Sequence, residues 1–97
     1  MRSWYVYIMS NNAHTLYVGM THDLLRRVEQ HKRRLYLTSF TARYTFDRCV
    51  YFEVCPTKHQ AARRERQIKA WSRSKKVTLI QSTNPNWIDL SSAWKIY

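Results

Sequence analysis

The sequence predicts an α+β fold, and three observations carry that prediction. Two aromatic and β-branched runs lie close together, separated by a polar turn cluster. A third such run follows later and stops at a proline. The segments between and after them carry apolar residues at helical spacing, with capping residues at their starts. The chain has 97 residues, enough for one domain with a modest core, expected over residues 1–97.

The first run, Trp4 to Met9, reads as a buried strand bounded by Ser10-Asn11-Asn12. Ser10 to Thr15 forms the hairpin loop and Leu16 to Met20 the returning strand. Period two puts Tyr5, Tyr7 and Met9 on one face of the first strand. On the second strand Tyr17 and Gly19 share a face, opposite Leu16, Val18 and Met20. Whether Tyr7 and Tyr17 emerge on the same side depends on register, which sequence leaves open. A helix follows with Thr21 or Asp23 as N-cap. Its apolar stripe is Leu24, Leu25, Val28 and Leu35, with His31 inside the stripe and Arg27 on its edge. Tyr36 to Asp47 reads as a loop. Cys49 to Val54 is the third strand, stopped by Pro56.

Thr57 and Gln60 stand at capping-box spacing and open a helix to about Trp71. Ala61, Ala62, Ile68 and Ser72 line one face, with Glu65 at its centre. A short helix, Lys75 to Gln81, brings Val77, Leu79 and Ile80 to the core. Asn84-Pro85 fits an N-cap followed by a first-turn proline, opening a terminal helix with Trp87, Leu90 and Trp94 on its apolar side.

Charge narrows the partner class. Seventeen Lys and Arg against six acids give a formal charge of +11. Such self-repulsion costs stability, so it points to a polyanion: nucleic acid first, an anionic membrane surface or a ribosomal partner next. Cys49 and Cys55, if extended, stand about 20 Å apart, too far for a disulfide. That suits two reduced thiols in a cytoplasmic protein. No signal peptide or membrane span is read, and no membrane partner is expected.

Glu65 is costly on an apolar stripe unless it is paired or bound to a cation. It is either a salt-bridge partner of a nearby arginine or a divalent-metal ligand. One carboxylate with retained waters suits Mg²⁺. Six acids cannot easily supply the converging carboxylates of two-metal chemistry, so the expectation is one ion. Arg27 and His31, one turn apart, are either a surface pair and a core histidine, or a phosphate site. Tyr7 and Tyr17 are either core aromatics or, with cations nearby, base candidates. Arg63, Arg64, Arg66, Lys69, Arg73, Lys75 and Lys76, with Trp71 and Tyr44, read as a backbone-tracking surface. Gly19 is the lone glycine where average usage predicts roughly seven. Its expected role is to let a phosphate backbone or a bound water approach the second strand closely.

In order, Tyr5-Val6-Tyr7, Tyr17-Val18-Gly19, Arg27-x-x-x-His31 and Glu65 resemble the GIY-YIG nuclease superfamily. The likeness is to its small single-domain branch, related to the N-terminal nuclease domain of the bacterial excision-repair incision subunit. Ala42-Arg43-Tyr44-Thr45, the Arg64-Glu65 helix and the Asn84-Pro85-x-Trp87 tail extend it over nearly the whole chain. Tyr5 stands where the family name has glycine. The resemblance implies a three-stranded antiparallel sheet flanked by helices, and metal-dependent hydrolysis of DNA phosphodiesters. It implies Tyr7 and Tyr17 as the motif tyrosines, one of them basic or water-positioning. Gly19 becomes the motif glycine, Arg27 the phosphate-stabilising arginine, His31 a polar site residue and Glu65 the ligand of one Mg²⁺ or Mn²⁺ ion. Asn84 matches a late asparagine. Arg26, Tyr44, Arg64, Lys69, Lys75 and Lys76, with Gly19, are the expected DNA contacts. The expected activity is a DNA endonuclease, structure-directed in repair or processing; the alternative is a non-catalytic nucleic-acid-binding module of the same fold.

Overall fold

A computed structural model describes residues 3–33 and 44–94. Leu35, Ala42 and Arg43, singled out above, lie outside them, as does most of the expected loop. The described chain runs β1 (Trp4–Ser10), β2 (Tyr17–Thr21), α1 (Leu24–Lys32), β3 (Arg48–Cys55), α2 (Lys58–Ala70) and α3 (Arg73–Thr83), then a 3₁₀ turn, Leu90–Ala93. The strands form one antiparallel sheet in the order β2-β1-β3. This is the α+β architecture expected from the sequence.

β1 is the central strand, and that explains its near-continuous apolar run. Both of its faces are covered, so it has no need to alternate. Val6 and Ile8 face a core completed by Val18, Ala61 and Ile68 of α2, and Ile80 of α3. Tyr7 and Met9 face the other core with Leu24 and Val28 of α1, Phe46 and Cys49. α1 and α2 thus lie on opposite faces of the sheet. A register shift between Ile8 and Met9 places Ile8 opposite Tyr51 but Met9 opposite Cys49. The extra residue in β3 is Val50.

The helix starts follow the local rules. Asp23 is the N-cap of α1, accepting the Arg26 N–H, while Thr21 Oγ1 accepts the Asp23 N–H at 3.0 Å. Thr57 accepts the Gln60 N–H at the start of α2. Ser72 does the same for Lys75 N–H at the start of α3. Ile68 and Ile80 are fully buried, and burial of such side chains contributes about 1.5–3 kcal/mol each.

Three expectations are corrected. Leu25 does not join the buried stripe of α1; it is 42% exposed. The helix expected over Lys75 to Gln81 begins earlier and ends later, at Arg73 and Thr83. No terminal α-helix starts at Asn84. Asn84 instead ends α3, its N–H donating to Ile80 O at 2.8 Å. Its buried amide donates to Val50 O and Ile88 O and accepts the Ile88 N–H, at 2.9–3.1 Å. Trp87 then takes φ 55°, which breaks any helical path. Among the described residues that follow, a short 3₁₀ turn forms, capped by Asp89.

Cys49 and Cys55 are both free and buried. Burial pushes the Cys49 thiol up to about 12 and raises Cys55 as well. Among the described residues, no helix is long and apolar enough to cross a membrane.

Candidate active site

Register answers the question left open for the two tyrosines. Tyr7 lies opposite Gly19 and Met9 opposite Tyr17. Directly opposed residues share a face, so Tyr7, Gly19 and Tyr17 all point toward α1. His31 enters the same space from the last turn of α1. The Tyr7 hydroxyl lies 3.0 Å from His31 Nε2. The Tyr17 and His31 ring centroids are 4.9 Å apart, and the two tyrosine rings 6.3 Å apart. Phe46 closes the cluster against Tyr17 at 5.7 Å, with Tyr44 behind it at 6.2 Å.

Tyr7 has no exposed surface and His31 only 3%. Tyr17 is half-buried. Burial, with a smaller contribution from the Arg27 charge, lowers the His31 pKa to about 4. The imidazole is therefore neutral near pH 7. Either tautomer keeps the bond to Tyr7, with the phenol donating to a bare Nε2 or accepting from a protonated one.

Arg27 stands one turn before His31 and is half-buried, its Nε donating to Gln30 Oε1 at 3.2 Å. It lines a cleft of about 240 Å³ with Thr21, His22, Asp23, Arg26 and Gln30. Two guanidinium groups in one polar cleft suit a phosphate. Gln30 and His22 escaped sequence reading, although Gln30 stands three residues from Arg27, a spacing at which helix side chains meet. Phe46 had no local signal at all.

The lone glycine is explained differently from the expectation. Its φ is not positive, so backbone angle is not the reason for it. A Cβ on Gly19 would lie 2.6 Å from Tyr7 Oη and 2.7 Å from Cζ. The group that approaches closely is the Tyr7 ring rather than a phosphate backbone.

Glu65 does share the stripe of Ala61 and Ile68 on α2. Its carboxylate, 21% exposed, pairs with Lys69 at 3.2 Å and, among the described residues, with no arginine. α2 packs on β1 and on the edge strand β2, which also carries Tyr17. Glu65 therefore comes to this edge strand from the α2 side and His31 from the α1 side. Among the described residues, no three His, Cys, Asp or Glu side chains converge. A hard cation here would hold one carboxylate and keep its waters, which fits magnesium or manganese better than a site for zinc.

The expected DNA contacts divide. Arg26 is exposed at the cleft. Arg64 is engaged within the protein: it pairs with Glu53, donates to Gln67 at 2.7 Å, and lies over the Trp71 ring at 5.1 Å. Tyr51 donates to the same Glu53 at 2.7 Å, a network with no sequence signature. Lys75 covers Trp71 at 4.4 Å and is exposed, whereas Lys76 is half-buried. Asn84 serves the backbone contacts described above.

Residues 3–78 match the family profile described as the GIY-YIG catalytic domain. A UPF0213 protein of Staphylococcus aureus is 39% identical over 85 residues, covering 84% of this chain and 98% of the relative. That of Desulfotalea psychrophila is 35% identical over 85 residues, covering 84% of this chain and 74% of the relative. The solution NMR structure of a UPF0213 protein from Bacillus halodurans is 30% identical. It superposes with a TM-score of 0.56 over 88% of this chain and 89% of that one. With the tyrosine, arginine and histidine cluster in place on this sheet, the chain belongs to the GIY-YIG family of nuclease domains, among its small UPF0213 members.

Proposed function

We propose that the chain is a one-metal DNA endonuclease, directed by DNA structure in repair or processing. The observation that carries this reading is the buried Tyr7–His31 pair lying beneath Tyr17, with Arg27 one turn away in an open cationic cleft. In this reading Arg27, with Arg26, binds the phosphate oxygens and stabilises charge as the phosphoryl group is attacked. Tyr17, which reaches the surface, orients the attacking water. Tyr7 is a positioning residue: enclosed on all sides, it holds the neutral His31 in place. Glu65 would hold the divalent ion, which supplies Lewis-acid polarisation of the phosphate when bound. Lys69 must then release the carboxylate. The exposed cations of α2 and α3 track the neighbouring backbone.

The test is a cleavage assay with Mg²⁺ or Mn²⁺ on duplex, single-stranded, flap and junction DNA. The parent protein should cut at least one substrate. Arg27→Ala should lower the rate about 10²- to 10³-fold, and Glu65→Ala should abolish metal-dependent cutting with an unchanged circular dichroism spectrum. Salt-sensitive DNA binding with no cleavage of any substrate would instead identify a binding module.

A further inference from the structure

Two open clefts meet at the start of α1. One is the arginine cleft. The other, about 340 Å³, is walled by Tyr5 of β1, Phe52 of β3, Trp94, and Leu24 and Leu25 of α1. His22 and Asp23 line both clefts. The sheet register brings them to the same end, because Tyr5 in one wall is paired with Thr21 in the other. Tyr5, Phe52 and Trp94 are only half-buried, and Leu25 is the exposed apolar residue noted above. Phe52 and Trp94 meet edge to face at 5.2 Å, so the wall is ordered by its own packing.

We infer that this apolar cleft is a nucleobase site, receiving one unstacked base of the strand whose phosphate lies in the arginine cleft. The inference rests on the proposed DNA substrate. A flat apolar base bonded to an anionic backbone matches an aromatic cleft adjoining a guanidinium cleft, and the volume is that of a small-ligand pocket. Asp23 is the carboxylate at the shared rim, and it is occupied at the cationic N-terminus of α1 by the Arg26 N–H at 3.2 Å. Beyond His22, Trp4 meets the imidazole at 5.2 Å and carries Lys58 over its ring at 5.5 Å, so the outer rim is basic. A second copy of the chain is a poorer occupant, since each copy carries +11. Thr21 and Tyr17 are four residues apart on β2, or about 13 Å. The base received is thus a neighbour of the cleaved bond, and the cleft would confer sequence or lesion preference.

The test is fluorescence anisotropy in EDTA, which prevents cutting, using single strands of about 12 nucleotides, each with one abasic position. The parent protein should show one position, or two adjacent ones, where removing the base weakens binding about 5- to 150-fold, the range expected from stacking of one base. That positional penalty should vanish in Leu25→Gln, an exposed site that tolerates a polar residue, and in Trp94→Ala. Binding to a duplex of equal length should stay within twofold in both. A uniform abasic profile in the parent overturns the inference while leaving the nuclease reading intact, as does a penalty that persists in both variants. Dimerisation in the ultracentrifuge that Leu25→Gln abolishes also overturns it, in favour of a second copy. Failure of the parent to bind any DNA overturns both readings.

Discussion

Adding one methyl group at Gly19 should damage this protein through Tyr7. Intrinsic preference alone predicts the opposite, because alanine in a strand interior gains about 0.5–1 kcal/mol over glycine. Here the new Cβ would stand 2.6 Å from Tyr7 Oη, 2.7 Å from Cζ and 3.0 Å from Cε1. The ring cannot yield outward, since Tyr7 is fully enclosed between β2 and α1. Forcing it aside costs about 1–3 kcal/mol for overpacking. Breaking its bond to His31 forfeits a buried hydrogen bond, at about 0.5–1.5 kcal/mol. One ring displacement does both, so the terms overlap and the expected net loss for Gly19→Ala is about 2–4 kcal/mol. For a domain of this size, that lowers Tm by about 10–25 °C. Thermal and urea unfolding followed by far-UV circular dichroism give the number. The cause is read from a double-mutant cycle: in a Tyr7→Leu background, the cost of Gly19→Ala should shrink by at least about 1 kcal/mol. The reasoning fails if Gly19→Ala unfolds within about 0.5 kcal/mol of the parent, or if its cost is the same whether residue 7 is tyrosine or leucine.

His31 should make stability fall with acidity. Its pKa is about 4 in the folded chain against 6.5 unfolded, so between these values the unfolded chain binds the proton that the folded one excludes. Stability therefore declines as pH drops through that window, by about 3 kcal/mol when pH is below 4. Urea midpoints from pH 7 to 4 should show a shallower decline in His31→Gln. Asp89 accepts from Lys32 at 2.6 Å, from the Cys49 N–H at 3.0 Å and from Ser91. Burial opposes its charge, but these bonds outweigh that and keep its carboxyl low. Asp89→Ala should cost about 2–3 kcal/mol by urea denaturation and Asp89→Asn less than half of that, because the amide oxygen still serves Cys49. Ser10 Oγ is buried without a partner among the described residues. Ser10→Ala should be neutral or up to about 1 kcal/mol more stable, and a loss above that in the same titration would reveal a hidden partner.

What was legible in the sequence is what neighbours in the chain decide. Asp23 and Thr57 cap their helices through N–H groups three residues away, so their roles appear in local order. β1 reads as a strand because every position from Val6 to Ser10 is buried. Whether Tyr7 and Tyr17 meet is a relation between two strands, and only the pairing of Tyr7 with Gly19 decides it. The tail misled for the same reason. Asn84 followed by proline looks like a helix start, yet its amide answers Val50, far away in sequence. Glu65 lies on the stripe its spacing predicts, but which cation it meets depends on side-chain reach, and Lys69, a near neighbour on its own helix, reaches it. Leu25 fits the helical period but sits at the edge of the arc that α1 buries. For the lone glycine, composition raised the right question; the answer was a side chain from the next strand.

The stretch that marks kinship and the stretch that holds the domain together are not the same length. The family profile ends at residue 78. Beyond it, Asn84 ties into β3, Trp87 stacks flat on His14 of the β1–β2 loop at 4.2 Å, and Asp89 bridges α1 to β3. His14 and Trp87 both have positive φ, 58° and 55°. Residues 84–94 therefore act as a clasp across the loop that leads into Tyr17 and across the last turn of the helix that carries His31. A fragment trimmed to the matched residues would keep Tyr7, Tyr17, Gly19, Arg27, His31 and Glu65 while losing the clasp across the elements that carry them, so boundaries drawn at the profile would understate the smallest working unit of this fold.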